Sequence, residues 1–240
     1  MSEHNDRRAQ KKAQTRELIR TVAHGLFAER GFDSVTIADI AAKADVAVQT
    51  VFNHFATKEE LFFDGRTPWV DGPADAVRAR GASISPLAAL RAYLVKISGV
   101  LVGSLCTEER RRYRATLQAS ETLRAREGEL IFESERRLAA ALLEVWTQGT
   151  GADGDVTPVD PQLAAPLIAG IWLTAGRILI VENRSLVVDG ADPEQAAAAV
   201  EDLANRLFAQ MEAAFAMMVE PNEAREHADT GWPRTALRAG

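Results

Sequence analysis

Four polar side chains, those of Gln49, Thr50, Asn53 and His54, lie close together in one short stretch of the chain. Their amide, hydroxyl and imidazole groups can each donate and accept hydrogen bonds. On the outer face of a short helix, such groups suit contact with base edges in the major groove of DNA. The same pattern fits the solvent side of an ordinary helical hairpin, so the residues alone leave both interpretations open.

The segment around these residues predicts two short helices joined by a tight turn. Thr36 followed three residues later by Asp39 is a capping box, which starts a helix over residues 37–43. A turn at residues 44–46 then leads into a second helix over residues 47–54. This arrangement is a candidate helix-turn-helix.

The chain from Thr36 onward resembles the signature of the TetR (tetracycline-repressor) family, T-x-x-x-I-A-x-x-A-G-V-S-x-x-T-x-Y-x-H-F-x-x-K-x-x-L. The phrase F-A-E-R-G-F at residues 27–32 adds to the resemblance, which covers about residues 12–64. Ten residues match at the expected spacing: Thr36, Ile40, Ala41, Ala44, Val46, Thr50, His54, Phe55, Lys58 and Leu61.

The resemblance implies an all-α fold with a helix-turn-helix DNA-binding domain at residues 12–64 and a ligand-binding and dimerisation domain at residues 74–219. It implies a cytoplasmic homodimer on a palindromic double-stranded DNA operator, acting as a repressor that a small molecule releases. The helices at 161–183 and 193–219 would form the dimer interface. The competing hypotheses are a DNA-binding protein without a ligand, architectural or constitutive, and a helical enzyme or sequestering protein.

Eight residues form the predicted DNA contact: Thr36, Val48, Gln49, Thr50, Phe52, Asn53, His54 and Lys58. The resemblance and their chemistry place Thr36, Thr50 and Lys58 on phosphates. Gln49 suits the N6 and N7 atoms of adenine, and Val48 suits a thymine methyl group. Asn53 and His54 would touch the backbone or a base edge, and the alternative for His54 is support of the fold.

Three positions depart from the family pattern. Asp45 replaces the turn glycine, which is tolerable because Asp visits the left-handed region more readily than most residues. Ala47 replaces the usual serine, so the recognition helix loses an N-cap hydrogen bond. Phe52 replaces the usual tyrosine and lacks the hydroxyl that would bind a phosphate. These changes predict weaker or altered DNA contacts without loss of the activity.

The rest of the chain predicts further helices, about nine in total. Gly65, Pro68, Gly72 and Pro73 predict a break, with helix resuming at residues 74–79. Cap signals place later helices at about 86–104, 108–119, 121–148, 161–183 and 193–219. Residues 1–11 are predicted to form a mobile basic arm, 149–159 a loop and 220–240 a disordered tail.

The ligand cavity is predicted between the middle helices. Its candidate lining residues are Trp69, Tyr93, Tyr113, Phe132, Trp146, Trp172 and Arg177. Plain core packing is the alternative for each aromatic residue. For Arg177, a structural ion pair with Glu182 or with a carboxylate of a second subunit is favoured over contact with an anionic ligand. The basic run at residues 110–114 is interpreted as a solvated helix face. The expected ligand is apolar or amphipathic.

Composition fits a soluble helical protein. Of 240 residues, 47% are hydrophobic and the net charge is −6, so DNA affinity must come from a local basic patch. Cys106 is the single cysteine, which excludes an intrachain disulfide. We expect no membrane partner, because no window approaches the roughly 18 apolar residues of a membrane span. We expect no cofactor, metal or enzyme activity: the G-x-G-x-x-G match at residues 149–154 lacks the preceding strand, and the four histidines are scattered.

Overall fold

The fold was analysed in a computed structural model that describes residues 2–148 and 158–219, and within those ranges all regular structure is helical. The helices are α1 (Ser2–Arg30), α2 (Ile37–Lys43), α3 (Val48–His54), α4 (Lys58–Phe63), α5 (Pro68–Arg78), α6 (Pro86–Gly103), α7 (Glu108–Ala119), α8 (Glu121–Gln148), α9 (Pro161–Val188) and α10 (Pro193–Val219), with a 3-10 turn at Ser104–Cys106. The predicted all-α class is confirmed, with ten α-helices described against about nine expected. Most of the predicted loop at 149–159, the G-x-G-x-x-G match and the predicted tail lie outside the described residues.

Most helix starts follow the caps seen in the sequence. The hydroxyl of Thr36 accepts the Asp39 amide at 3.1 Å, and the Asp39 carboxylate accepts the Thr36 amide at 2.8 Å. The Asp160 carboxylate accepts the Leu163 amide at 3.1 Å at the start of α9. These side chains satisfy N–H groups that a helix leaves unpaired in its first turn.

The predicted mobile arm at residues 1–11 is not observed, because α1 already begins at Ser2. Residues 2–12 contain neither glycine nor proline and include several good helix formers, so nothing in them ends the helix. Residues 2–11 therefore extend the first helix by almost three turns.

The predicted break is shorter than expected, because α5 starts at Pro68 and continues through Pro73. Proline lacks the N–H that would bond the carbonyl four residues earlier. Here that carbonyl belongs to Trp69, and it accepts a hydrogen bond from the Ser134 hydroxyl of α8 at 2.8 Å. Only residues 64–67 are non-helical, with the turn at Gly65 in the left-handed region at φ 70°. The hydroxyl of Ser134 thus replaces the hydrogen bond that Pro73 cannot donate, so the helix continues through the proline.

Helices α1–α4 form a small unit, called the head below, and α5–α10 form the body. The head core centres on Phe27, Phe32 and Phe62, whose rings lie 5.2 to 5.8 Å apart. This core continues into the body, because Tyr113 of α7 stacks on Phe62 at 5.0 Å and 19°. The body has its own core, in which Trp172 of α9 stacks on the fully buried Phe208 of α10.

Helix α9 is apolar on two faces. One face packs into the body core through Ala165, Ala169 and Trp172. The helix ends at Val188, five residues beyond the predicted end at residue 183. The other face leaves Leu163, Leu167, Ile171 and Ile178 exposed at 50 to 58%. By length and composition alone, α6 and α9 could each cross a membrane, which contradicts the expectation that no segment approaches a span. Both pack against other helices of the body, and core helices of soluble proteins pass the same test.

Candidate nucleic-acid interface and ligand cavity

The recognition helix α3 is fixed from beneath and open above. Val51 is fully buried, whereas Val48 and Phe52 are 42% and 46% exposed, and Gln49 and Asn53 are exposed beside them. The turn before α3 places Asp45 at φ 54°, in the left-handed region expected of the residue that replaces glycine. A surface with two large apolar and two amide side chains can contact both thymine methyl groups and base edges.

Gln49 and Asn53 are linked to each other. The Gln49 amide donates to the Asn53 side-chain oxygen at 3.2 Å, across one turn of α3. This bond restricts both side chains on the outer face and leaves the Gln49 oxygen and the Asn53 amide available. Thr50, on the same helix, is only partly buried.

No side chain caps α3 at its start, as predicted from Ala47. Its end is held instead by Arg16 of α1, which donates to the His54 carbonyl. The Arg16 guanidinium also bonds the Asp64 carboxylate at 2.6 Å and lies 4.1 Å from the centre of the Phe55 ring. The sequence pattern does not reveal these contacts, because Arg16 and its partners are far apart in the chain.

His54 contributes more to packing than its position in the motif suggested. Its Nδ1 is buried and, within the described chain, has no hydrogen-bond partner. Burial lowers the pKa of the imidazole, and the charges of Lys12 and Arg16 lower it further. The imidazole ring is therefore neutral at physiological pH. Its buried Nδ1 favours a role of His54 in supporting the fold over a contact with a DNA base.

Lys58 and Thr36 already have partners in the head. The Lys58 ammonium donates to the carbonyls of Phe32 and Val35, both at 3.0 Å, and lies 4.2 Å from the centre of the Phe32 ring. The Thr36 hydroxyl donates to the Asp39 carboxylate at 2.6 Å, and these bonds lower the pKa of Asp39. The phosphate contacts of both residues stay predictions, with one ammonium N–H of Lys58 left to make one.

A basic strip on α1 adjoins the recognition helix. Arg8, Lys12 and Arg16 are spaced by four residues, which places them on one face of α1. Lys12 is exposed, and its charge reaches His54 at the end of α3. The helical start of α1, predicted as an arm, therefore carries this strip as part of a rigid element.

A cavity of about 230 Å³ lies in the body, between α5, α6, α7, α8 and α9. Four predicted residues line it: Trp69, Tyr93, Tyr113 and Arg177. The other three do not, because Trp146 and Trp172 are buried in the core and Phe132 is 68% exposed on α8. Aromatic residue type did not reveal which way each side chain points from its helix.

Tyr93 shows why Gly72 is present in the middle of α5. Any side chain at Gly72 would begin 2.1 Å from the Tyr93 hydroxyl, so only glycine permits this contact. That hydroxyl donates to the Pro68 carbonyl at 2.8 Å, and burial raises the pKa of Tyr93 to about 12. Gly72 serves close packing beside the cavity and does not break the helix.

Arginines dominate the polar lining of the cavity: Arg66, Arg110, Arg114, Arg177 and Arg184 face one carboxylate, that of Glu127. The predicted solvated face of α7 is therefore only half right. Arg111 and Arg112 pair with Glu108 at 3.2 and 2.9 Å, as expected, but Arg110 and Arg114 turn to the cavity. The expected ion pair between Arg177 and Glu182 is not among those of the described residues.

The cavity wall and the head share residues. Arg66, three residues after the end of α4, lies 4.8 Å from the Tyr113 ring and 5.7 Å from the Phe62 ring. Its guanidinium bonds the Glu109 carboxylate of α7 at 3.4 Å, and burial lowers the pKa of Arg66. A displacement of α7 would therefore reach α4 directly, through Tyr113 and Arg66.

Among the described residues, no group of three or more His, Cys, Asp or Glu side chains could hold a metal ion.

The protein thus consists of a head with a helix-turn-helix, joined to a helical body that contains a cavity. Residues 19–64 match the model of the family described as bacterial regulatory proteins, tetR family. The chain is 31% identical over 124 residues to MftR of Mycobacterium tuberculosis, named as a regulator of mycofactocin biosynthesis. That match covers 49% of this chain and 59% of MftR, so the chain spans well under two thirds of this relative.

Solved structures share the fold. A TetR-family regulator of Mesorhizobium loti has a TM-score of 0.50 at 21% identity, covering 85% of this chain and 97% of the other. SmeT in complex with triclosan has a TM-score of 0.50 at 16% identity, covering 80% of this chain and 90% of the other; SmeT is the repressor of a Stenotrophomonas maltophilia multidrug efflux pump. Over residues 19–64 the chain is similar to the tetR family of bacterial regulatory proteins, and its helical fold is that of these solved structures.

Proposed function

We propose that this protein is a homodimeric transcriptional repressor that binds a palindromic operator and leaves it when a small molecule enters the cavity. The observation that carries the proposal is that packed side chains connect the cavity to the core beneath the recognition helix. Tyr113 lines the cavity and stacks on Phe62, and Phe62 belongs to the core that supports α3.

The DNA interface consists of the outer face of α3 and the basic strip of α1. Gln49 and Asn53 reach base edges, and Val48 and Phe52 pack on thymine methyl groups. Arg8 and Lys12 contact phosphates, which supplies affinity without sequence preference. Residues 1–64 contain nine Lys and Arg against ten Asp and Glu, so this affinity must come from the local strip and not from the overall charge.

The dimer forms through the exposed apolar face of α9. Leu163, Leu167, Ile171 and Ile178 follow one another at spacings of four or seven residues, so they form one stripe along the helix. A stripe of this length on a soluble protein marks an interaction surface. Pairing with the same stripe of a second copy by two-fold symmetry would place two recognition helices for two half-sites.

Release follows from the junction between body and head. A ligand that contacts Tyr113, Arg110 and Arg66 shifts α7 relative to α4, because Arg66 touches residues of both helices. Such a shift changes the orientation of the head on each protomer and hence the distance between the recognition helices. The alternative, a DNA-binding protein without a ligand, leaves the cavity beside this junction unexplained. SmeT, with the same fold, forms a complex with triclosan, so the fold is compatible with a bound small molecule.

The test is selection of bound duplexes from a random library by the full-length protein. We expect an inverted repeat whose half-sites are about 34 Å apart, one turn of DNA. Gln49→Ala should weaken binding to that site by about 1–3 kcal/mol and relax the preference at one base pair per half-site. The matched control is Gln118→Ala, an exposed glutamine on α7 away from this surface. Selection of no sequence, or an unchanged motif for Gln49→Ala, would contradict the proposed interface.

A further inference from the structure

The cavity carries an excess of positive charge at the end formed by α7 and α9. Arg110 and Arg114 lie on one face of α7, and Arg184 faces them from α9. The Glu127 carboxylate of α8 is 3.1 Å from Arg114 and neutralises one of the three charges. Two guanidinium groups at this end therefore have no carboxylate of the described lining to balance them.

Arg184 is held in place by a carbonyl and not by a charge. Its Nε donates to the Leu101 carbonyl at 3.2 Å, and it forms no ion pair with the described residues. Burial, together with the nearby charges of Arg114 and Arg110, lowers the pKa of Arg184 to about 10, although Glu127 acts in the opposite direction. The group still carries its charge at pH 7, and its remaining N–H groups are donors for an acceptor in the cavity.

Most of the remaining cavity lining is apolar. Leu94, Ile97 and Leu101 of α6, Ile131 of α8, and Leu173 and Ile180 of α9 form its walls. At about 230 Å³ the volume is below the roughly 300–1,000 Å³ of most ligand pockets, so a short chain suits it better than a large ring system. An apolar floor with donors and positive charge at one end is complementary to an amphipathic anion.

We propose that the cavity binds a short-chain amphipathic anion, whose carboxylate or phosphate contacts Arg184 and Arg110 and whose apolar chain lies between α6 and α9. This deepens the proposed function by naming the class of its effector. Guanidinium groups bind both carboxylate and phosphate through paired N–H bonds. A cationic ligand would meet the charges of Arg110 and Arg184, and a neutral one would leave their donors unused.

The experiment measures binding to the full-length protein by isothermal titration calorimetry without DNA. The probes are octanoate, octyl phosphate, octanol and octyltrimethylammonium, which share one chain and differ in the head group. We expect one or both anions to bind at least about tenfold more tightly than octanol, since hydrogen bonds to charged groups are the stronger kind. Octyltrimethylammonium should not bind. The ratio of octanoate to octyl phosphate identifies the preferred head group.

Two substitutions test the assignment to particular residues. Arg184→Gln and Arg110→Gln should each weaken binding of the preferred anion at least about tenfold and leave octanol within twofold. Arg184→Lys should restore part of the affinity, because it keeps the charge. The matched control is Arg112→Gln, two residues from Arg110 but on the outer face of α7 and paired with Glu108.

The proposal is overturned by equal affinity for octanol and the anions, by binding of the ammonium probe, by no binding of any probe, or by equal effects of the Arg110 and Arg112 substitutions. Thermal unfolding of each variant shows whether it is folded, and Arg110→Gln serves if Arg184→Gln is not. DNA binding is measured separately. If the protein binds the anions but selects no operator, the anion site is retained and the proposed repressor function is rejected. If it selects an operator but binds no anion, the repressor function is retained and the anion site is rejected.

Discussion

The head and the body of this protein differ in how their functional residues are distributed along the chain. The recognition surface comes from residues 48–53 of a single short helix, so the spacing of its side chains is local. The cavity draws its lining from residues as far apart as Arg66 and Arg184, on five helices and the junction before them. A local pattern specifies the first surface, and only packing over long distances specifies the second.

The arginines of α7 show what this difference means. Arg110, Arg111 and Arg112 are consecutive, yet the first lines the cavity and the other two pair with Glu108 on the outside. A helix turns 100° per residue, so neighbours in sequence face different surroundings. In the head the corresponding ambiguity is absent, because the outer face of α3 is set by one buried residue, Val51.

The largest expected effect concerns the body. Ile171→Asp places a carboxylate in the exposed stripe of α9, and two-fold symmetry places it there twice. Burial of unpaired charge should weaken the dimer at least about 100-fold, or about 2.7 kcal/mol, and produce monomers. Analytical ultracentrifugation measures this.

Phe132→Asp is the matched control for that substitution, since Phe132 is 68% exposed on α8, outside the stripe. Leu179 of α9 is packed against the body core, so the same substitution there would test folding instead. A monomeric wild-type protein, or equal dissociation of the two variants, would reject α9 as the interface.

Lys58 sharpens the comparison from the head. Lys58→Ala removes two charge-assisted hydrogen bonds to the carbonyls of Phe32 and Val35, and should lower the free energy of unfolding by about 1.5–3 kcal/mol. Lys43→Ala, an exposed residue of α2, should change it by less than about 0.5 kcal/mol. Urea denaturation provides both values.

The same Lys58 variant tests its predicted phosphate contact. Loss of such a contact lowers the slope of log K against log salt by about one unit and weakens all DNA sequences alike. Reduced stability with an unchanged salt slope would assign Lys58 to the fold alone.

The sequence predicted the elements of the head and most helix starts, because capping residues act within three positions of each other. Thr36 with Asp39 and Asp160 with Leu163 are examples. It did not predict contacts that join distant segments: Arg16 to the end of α3, or Ser134 to the carbonyl freed by Pro73. Trp146 and Trp172 were assigned to the cavity for the same reason, since residue type does not fix the direction of a side chain relative to a void. The Arg and Tyr residues spaced by three and four on α7 were the signal that could have located the cavity wall.

His24 provides a pH test at the boundary of the two regions. Burial lowers its pKa from 6.5 to about 4, and Nε2 lies 3.0 Å from the Leu61 carbonyl, as a neutral donor. Above pH 6.5 the histidine is neutral in both states and contributes no pH dependence. Between pH 6.5 and 4 the unfolded chain binds a proton that the folded head does not, so stability falls as pH falls.

We therefore expect the thermal midpoint to decrease by a few degrees from pH 7 to pH 5, and by less in His24→Gln. Differential scanning calorimetry at both pH values measures the difference. A decrease of equal size in the two proteins would assign it to groups other than His24.

The smallest effect is expected at Ala47, where this chain departs from the tetR-family pattern that it resembles. Ala47 has the extended backbone of an N-cap, at φ −67° and ψ 146°, but no side chain to cap α3. Ala47→Ser supplies an acceptor for the unpaired N–H groups and should raise the free energy of unfolding by about 1 kcal/mol. The matched control is Ala42→Ser, exposed within α2, where serine loses helix propensity and should destabilise slightly. If urea denaturation showed that both substitutions change the free energy of unfolding in the same direction, the missing N-cap would not limit the stability of α3. If instead only Ala47→Ser stabilises the protein, the start of the recognition helix is its weak end. The helix is then held mainly by Arg16 at its C-terminal end and by the packing of Val51. In that case the head depends on α1 more than the helix-turn-helix pattern indicates.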